Sequence, residues 1–125
     1  VNPTAYASDD LRREASEALD RVWFIQSVVE DEQDNTATSF VSFRLIIRES
    51  LYVHVFMSQR VSTLYFALIL DNRRVFGIDS RAGHWHLHPF ENPEAHQPLA
   101  SDLGPRPLLS FLARVEDILG RGELL

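Results

Sequence analysis

The chain has no cysteine and no lysine, and its longest apolar runs fall well short of a membrane span. Without cysteine there can be no disulfide framework, no zinc ribbon and no thiol nucleophile. Without a membrane-length run or an opening signal-peptide pattern, the expectation is a soluble, cytoplasmic protein with no membrane partner. All twelve basic residues are arginine, against eighteen acidic ones, for a net charge of −6. Coding bias alone can exclude lysine. Arginine also grips phosphate or carboxylate through paired hydrogen bonds. A net negative chain is a poor nonspecific nucleic-acid binder. A local arginine–histidine patch for RNA, or a basic partner, stays open. Histidine is scarce too, with five in 125 residues, but four of them fall within residues 83–96, GHWHLHPFENPEAH.

The 125 residues are 45% hydrophobic and read as one domain, 1–125, able to bury a core of its own. Residues 8–22 carry Leu11, Ala15, Ala18, Leu19 and Val22 at helical spacing, with Ser8 or Asp9 as the cap. WFIQSVV (23–29) is rich in aromatic and β-branched residues and predicts a strand. The polar stretch 30–38 predicts a solvated acidic loop. Residues 39–48 and 51–58 alternate strictly, and a three-residue connection, Arg48-Glu49-Ser50, would keep both apolar sets on one face. That register sets Arg44 opposite His54, with Tyr52 and Phe56 nearby. Residues 61–70 are apolar on both faces, as in a central strand, and residues 75–80 return after the DNRR turn. Five prolines between 89 and 107 argue against regular structure there. Residues 107–120 close the chain as a helix with Leu108, Phe111, Leu112, Val115, Ile118 and Leu119 on one stripe. The fold class is α+β: an antiparallel meander sheet of four to five strands, with N- and C-terminal helices packed on one face.

On a strand, His84, His86 and His88 point one way and Trp85 and Leu87 the other. Three chemistries suit that pattern. A metal site could recruit Glu91 or His96 to the imidazoles. Metal-free acid–base catalysis needs groups that titrate near neutral pH, an orienting carboxylate such as Asp79 and a guanidinium such as Arg81. An interface could use Trp85 and Phe90 with the histidines as a polar rim. A plainer reading has the histidines satisfying backbone groups in an irregular loop.

The run LYFALILDNRRVFGIDSRAGHWHLHPFENPEAH resembles the TumE-like toxins of type II toxin–antitoxin modules. Tyr65, Asp71, Asp79, His84, His86, His88 and His96 stand where that family carries its tyrosine, aspartates and histidine-rich tail. The resemblance covers roughly residues 38–98 in outline. It implies a toxin acting on RNA or on translation and silenced by a small antitoxin protein. The expected activity is a ribonuclease without metal or other cofactor. His86 and His88 would be general base and acid, His84 a helper and Asp79 an orienting carboxylate. Arg81, Arg44, His54, Tyr65 and His96 would bind substrate. The alternatives are a non-enzymatic domain that binds a partner or a second copy of itself through the exposed sheet face, and a small histidine-ligated metalloprotein.

Overall fold

The structure, a computed structural model, describes residues 6–31, 40–99 and 102–122. Helix α1 (Ser8–Arg21) leads into β1 (Ser27–Glu30), β2 (Phe40–Arg48), β3 (Leu51–Ser58), β4 (Thr63–Leu70), β5 (Arg73–Arg81), β6 (His84–His88) and β7 (Gln97–Pro98); helix α2 (Pro107–Gly120) ends the chain. The strands form one antiparallel sheet in chain order, a meander without crossovers. The α+β class and the two terminal helices are as the sequence predicts, but the sheet has seven strands rather than four to five. HWHLH pairs along its whole length with β5, and the proline-rich stretch adds β7 outside it. Pro98 fits there because an outermost strand needs no donor on its free side. Among the described residues, no helix is long and apolar enough to cross a membrane. The acidic loop expected over 30–38 lies mostly outside the described residues.

One sheet face is the core. Val41, Phe43 and Leu45 of β2, Val53 and Val55 of β3, Phe66 and Leu68 of β4 and Ile78 of β5 are buried against the stripes of both helices. Phe111 of α2 sits 5.4 Å from Phe66 and 5.3 Å from Phe76, centroid to centroid. Truncating such a ring costs about 3–5 kcal/mol. All six predicted stripe residues of α2 are buried.

Four local expectations are corrected. The first strand begins at Ser27, not Trp23. Residues 23 and 24 form a turn, closed by Ile25 N–H donating to the Val22 carbonyl at 3.1 Å. Phe24 and Ile25 are both buried, which strict strand alternation would forbid. Helix α1 is capped from Ala7, whose N–H donates to the Asp10 carboxylate at 2.9 Å, rather than by Ser8 or Asp9. Leu19 is exposed and Glu14 is buried in its place. Glu14 accepts from the Tyr6 hydroxyl and from Leu109 N–H at 2.9 Å, so a carboxylate on α1 caps the first turn of α2. Burial pushes the Glu14 carboxyl above its ordinary range, against the hydrogen bonds from Tyr6 and Leu109.

The fourth correction is the β2–β3 connection. It is a two-residue turn, Glu49-Ser50, with Ser50 at φ 67°. The faces do not mix, because the register shifts at Ile47, between Ile46↔Tyr52 and Arg48↔Leu51. A β-bulge absorbs the odd residue, so the tight turn and the apolar face coexist. Arg44 stands opposite His54, as predicted. The β4–β5 turn works the same way. Asp71 and Asn72 both take positive φ, and the register shifts again beyond Leu68.

Candidate functional site

The sheet face away from the helices carries most of the titratable residues singled out from the sequence. Two rows of opposed residues cross it. One runs Phe56, Tyr65, Asp79, His86; the other runs Arg44, His54, Ala67, Gly77, His88. The second row has small residues at its centre. A Cβ on Gly77 would lie 3.2 Å from the Phe66 carbonyl oxygen and 3.2 Å from Arg74 Cδ, so the missing side chain is what lets Arg74 lie across the sheet.

At the β5–β6 end, Asp79 is 6% exposed and faces two histidines. His88 Nε2 is 3.1 Å from Asp79 Oδ2, and His86 Nδ1 is 3.6 Å from Asp79 Oδ1. His88 is buried, and its Nδ1 lies 3.1 Å from the Ala95 carbonyl oxygen. His96 comes from the loop after β6. Its ring stacks on His86 at 4.2 Å and on His88 at 5.0 Å between centroids. The loop is held by that Ala95 contact and by Arg74 donating to the Pro93 carbonyl at 3.2 Å. Asp79 Oδ1 and His86 Nδ1 are buried and have no hydrogen-bond partner. One ligand atom each from Asp79, His88 and His96 lie within 4.8 Å of one another.

At the β2–β3 end a second chain of polar groups runs inward from the edge. The Ser42 hydroxyl donates to Asp31 Oδ2 at 2.5 Å and sits 3.2 Å from His54 Nε2. With its one proton given to Asp31, Ser42 accepts from His54 Nε2–H. Burial holds His54 below its ordinary range, against the pull of Asp31. Arg44 Nε is 3.5 Å from Asp31 Oδ1, and its guanidinium lies 5.7 Å over the Tyr52 ring. Tyr65 bridges the two ends, edge-on to His54 at 5.6 Å. Burial pushes the Tyr65 phenol up, while the guanidinium of Arg74 beside it pulls the other way.

Of the residues singled out from sequence, the structure brings together Asp79, His86, His88, His96 and Tyr65. His84 and Arg81 pair with each other at the strand ends and are exposed, away from the cluster. Arg44 and His54 belong to the far end. Glu91 faces Arg121, just past the end of α2, at 3.5 Å and is not part of the cluster. The guanidinium beside Tyr65 on this face is that of Arg74, not Arg81. Strict alternation back from Asp79 passes through Gly77 to Val75, and only the bulge puts Arg74 on this face. Ser42 and Asp31 were also missed. Asp31 reads as one more charge in a solvated loop, and no local pattern marks it.

No protein-family model, no curated protein and no solved structure matches this chain.

Proposed function

We propose that the open sheet face cleaves RNA, as the resemblance to TumE-like toxins implies. The observation that carries this reading is the juxtaposition of Asp79, His86, Tyr65 and Arg74 on one accessible face. Cleavage of RNA uses the substrate's own 2′-hydroxyl as nucleophile. Its oxygen attacks the adjacent phosphorus, the P–O5′ bond breaks, and a 2′,3′-cyclic phosphate and a 5′-hydroxyl result. His86 takes the 2′-hydroxyl proton, with Asp79 holding the ring in place. Arg74 holds the phosphate. The Tyr65 phenol stands to hand its proton to the departing 5′-oxygen, and the Arg74 guanidinium beside it opposes the upward push of burial that would hold the proton back. His88 is buried between Asp79 and the Ala95 carbonyl, out of the substrate's reach, so the proton comes from elsewhere. The half-buried rings of Tyr52 and Phe56, with Phe40 stacked on Phe56 at 5.8 Å, offer neighbouring bases a stacking surface. An antitoxin that silenced the activity would cover this same face.

The test is incubation of purified protein with a single-stranded RNA oligonucleotide and with its DNA counterpart, which lacks the nucleophile. RNA should be cut to a cyclic-phosphate end and DNA left intact. Intact RNA, or cleavage undiminished in His86→Ala, overturns the reading.

A further inference from the structure

The groups around Asp79 do not close as a set of neutral hydrogen bonds. The Ala95 carbonyl is only an acceptor, so His88 meets it at 3.1 Å by placing its proton on Nδ1. The lone pair of Nε2 then points at Asp79 Oδ2, another acceptor, 3.1 Å away. Two lone pairs at that distance repel unless a second ring proton or a metal ion lies between them. The second oxygen of the same buried carboxylate has no hydrogen-bond partner at all. His96 adds a third donor atom within 4.8 Å of the other two.

We propose that Asp79, His88 and His96 bind a divalent transition-metal ion of the zinc class. The donor set is imidazole and carboxylate, which suits zinc and its neighbours better than magnesium or calcium. Ligands at roughly 2.0–2.1 Å around a tetrahedral zinc lie a little over 3 Å apart, close to the observed separation of Nε2 and Oδ2. A ring N–H given to a main-chain carbonyl is also how a metal-bound histidine is usually held in orientation. Three protein ligands would leave one tetrahedral position for water or substrate. The ion would fasten the loop carrying His96 to the sheet. The proposal does not depend on RNA cleavage, since a metal could sit here in a protein that cuts nothing. The competing arrangement is a doubly protonated His88 locked to Asp79 as a closed ion pair.

Protein stripped with EDTA and dialysed is titrated calorimetrically with Zn²⁺, and separately with Mg²⁺. One Zn²⁺ per chain should bind, and Mg²⁺ should not. Co²⁺ should give the visible bands of a low-symmetry tetrahedral site. His96→Ala removes an exposed ligand and leaves the fold intact. It should weaken Zn²⁺ binding by more than the roughly 10–100-fold that losing a supporting partner of a ligand costs. Asp79→Asn should do the same, while His84→Ala, in the same tract but outside the cluster, should change nothing. Zn²⁺ should raise Tm by about 5 °C or more in the parent chain and not in His96→Ala. No Zn²⁺ binding, or binding unaffected by His96→Ala and Asp79→Asn, overturns the proposal. RNA assayed with the same samples separates the two readings. Stoichiometric zinc with intact RNA sinks only the nuclease, and cleavage in EDTA without zinc binding sinks only the metal site.

Discussion

The open face has a histidine–aspartate association at each end, and the two are built differently. At the β2–β3 end, His54 reaches Asp31 through the Ser42 hydroxyl in a continuous chain, and the buried polar atom left without a hydrogen-bond partner there is Arg44 Nε, 3.5 Å from Asp31 Oδ1. At the β5–β6 end, His86 and His88 face Asp79 directly, and two buried polar atoms have no hydrogen-bond partner. A closed chain of hydrogen bonds repays the desolvation of its members and locks the strands together. An open one costs free energy until something arrives to complete it. The first arrangement is what structure alone would favour, and the second is what a site requires.

The sharpest way to break this contrast is by activity. His86→Ala should lower RNA cleavage by about 10²–10⁴-fold, the usual contribution of a positioned general base. His54→Ala should lower it only a few-fold, and equal losses at the two ends would erase the distinction. Stability should separate them in the opposite sense. Ser42→Ala breaks the closed chain and should cost roughly 0.5–1.5 kcal/mol in urea unfolding, because its half-buried partners lose their bonds. Asp79→Asn, measured without metal, should cost less than that, or even stabilise the chain, since it removes a buried charge and leaves an amide to donate. Gly77→Ala lies between the ends. Its Cβ must displace Arg74 or press on the Phe66 carbonyl, at a cost of about 1 kcal/mol. In the RNA assay it should raise KM more than it lowers kcat, because phosphate holding is what suffers.

The smallest effect is on pH dependence. The folded His54 sits below its ordinary value of 6.5, because burial disfavours its charged form. Below that pH the unfolded chain takes up a proton that the folded chain refuses. Stability should therefore fall as the pH drops through about 6.5 towards the folded value. His54→Gln keeps a donor for Ser42 and should flatten that part of the curve in a Tm series. An unchanged slope would show that His54 is not the group responsible.

Local pattern carried much of this molecule. Period-two runs at Val41–Ile47 and Leu51–Met57 oriented two strands, and the 3.6-residue stripe from Leu108 to Leu119 oriented α2, because one buried face imposes one period. The alternation of GHWHLH correctly set His84, His86 and His88 on one face with Trp85 and Leu87 turned to the core. Pattern failed where two residues share a job across a long separation. Glu14 looks like a surface charge on a helix until α2 presents an uncapped first turn to it. Arg74 looks like part of a turn until the bulge rotates it onto the open face.

Sequence alone determined the α+β class, the helix stripes, the meander order and the common direction of three histidines, since these follow from spacing along the chain. Tertiary structure decided that His96 joins the cluster while His84 does not, that Arg74 rather than Arg81 lies beside Tyr65, and that Asp79 keeps a buried oxygen without a partner. Those outcomes depend on strand register, two bulges and the path of a proline-rich loop. Each is settled by packing between segments far apart in sequence, where no local period reaches.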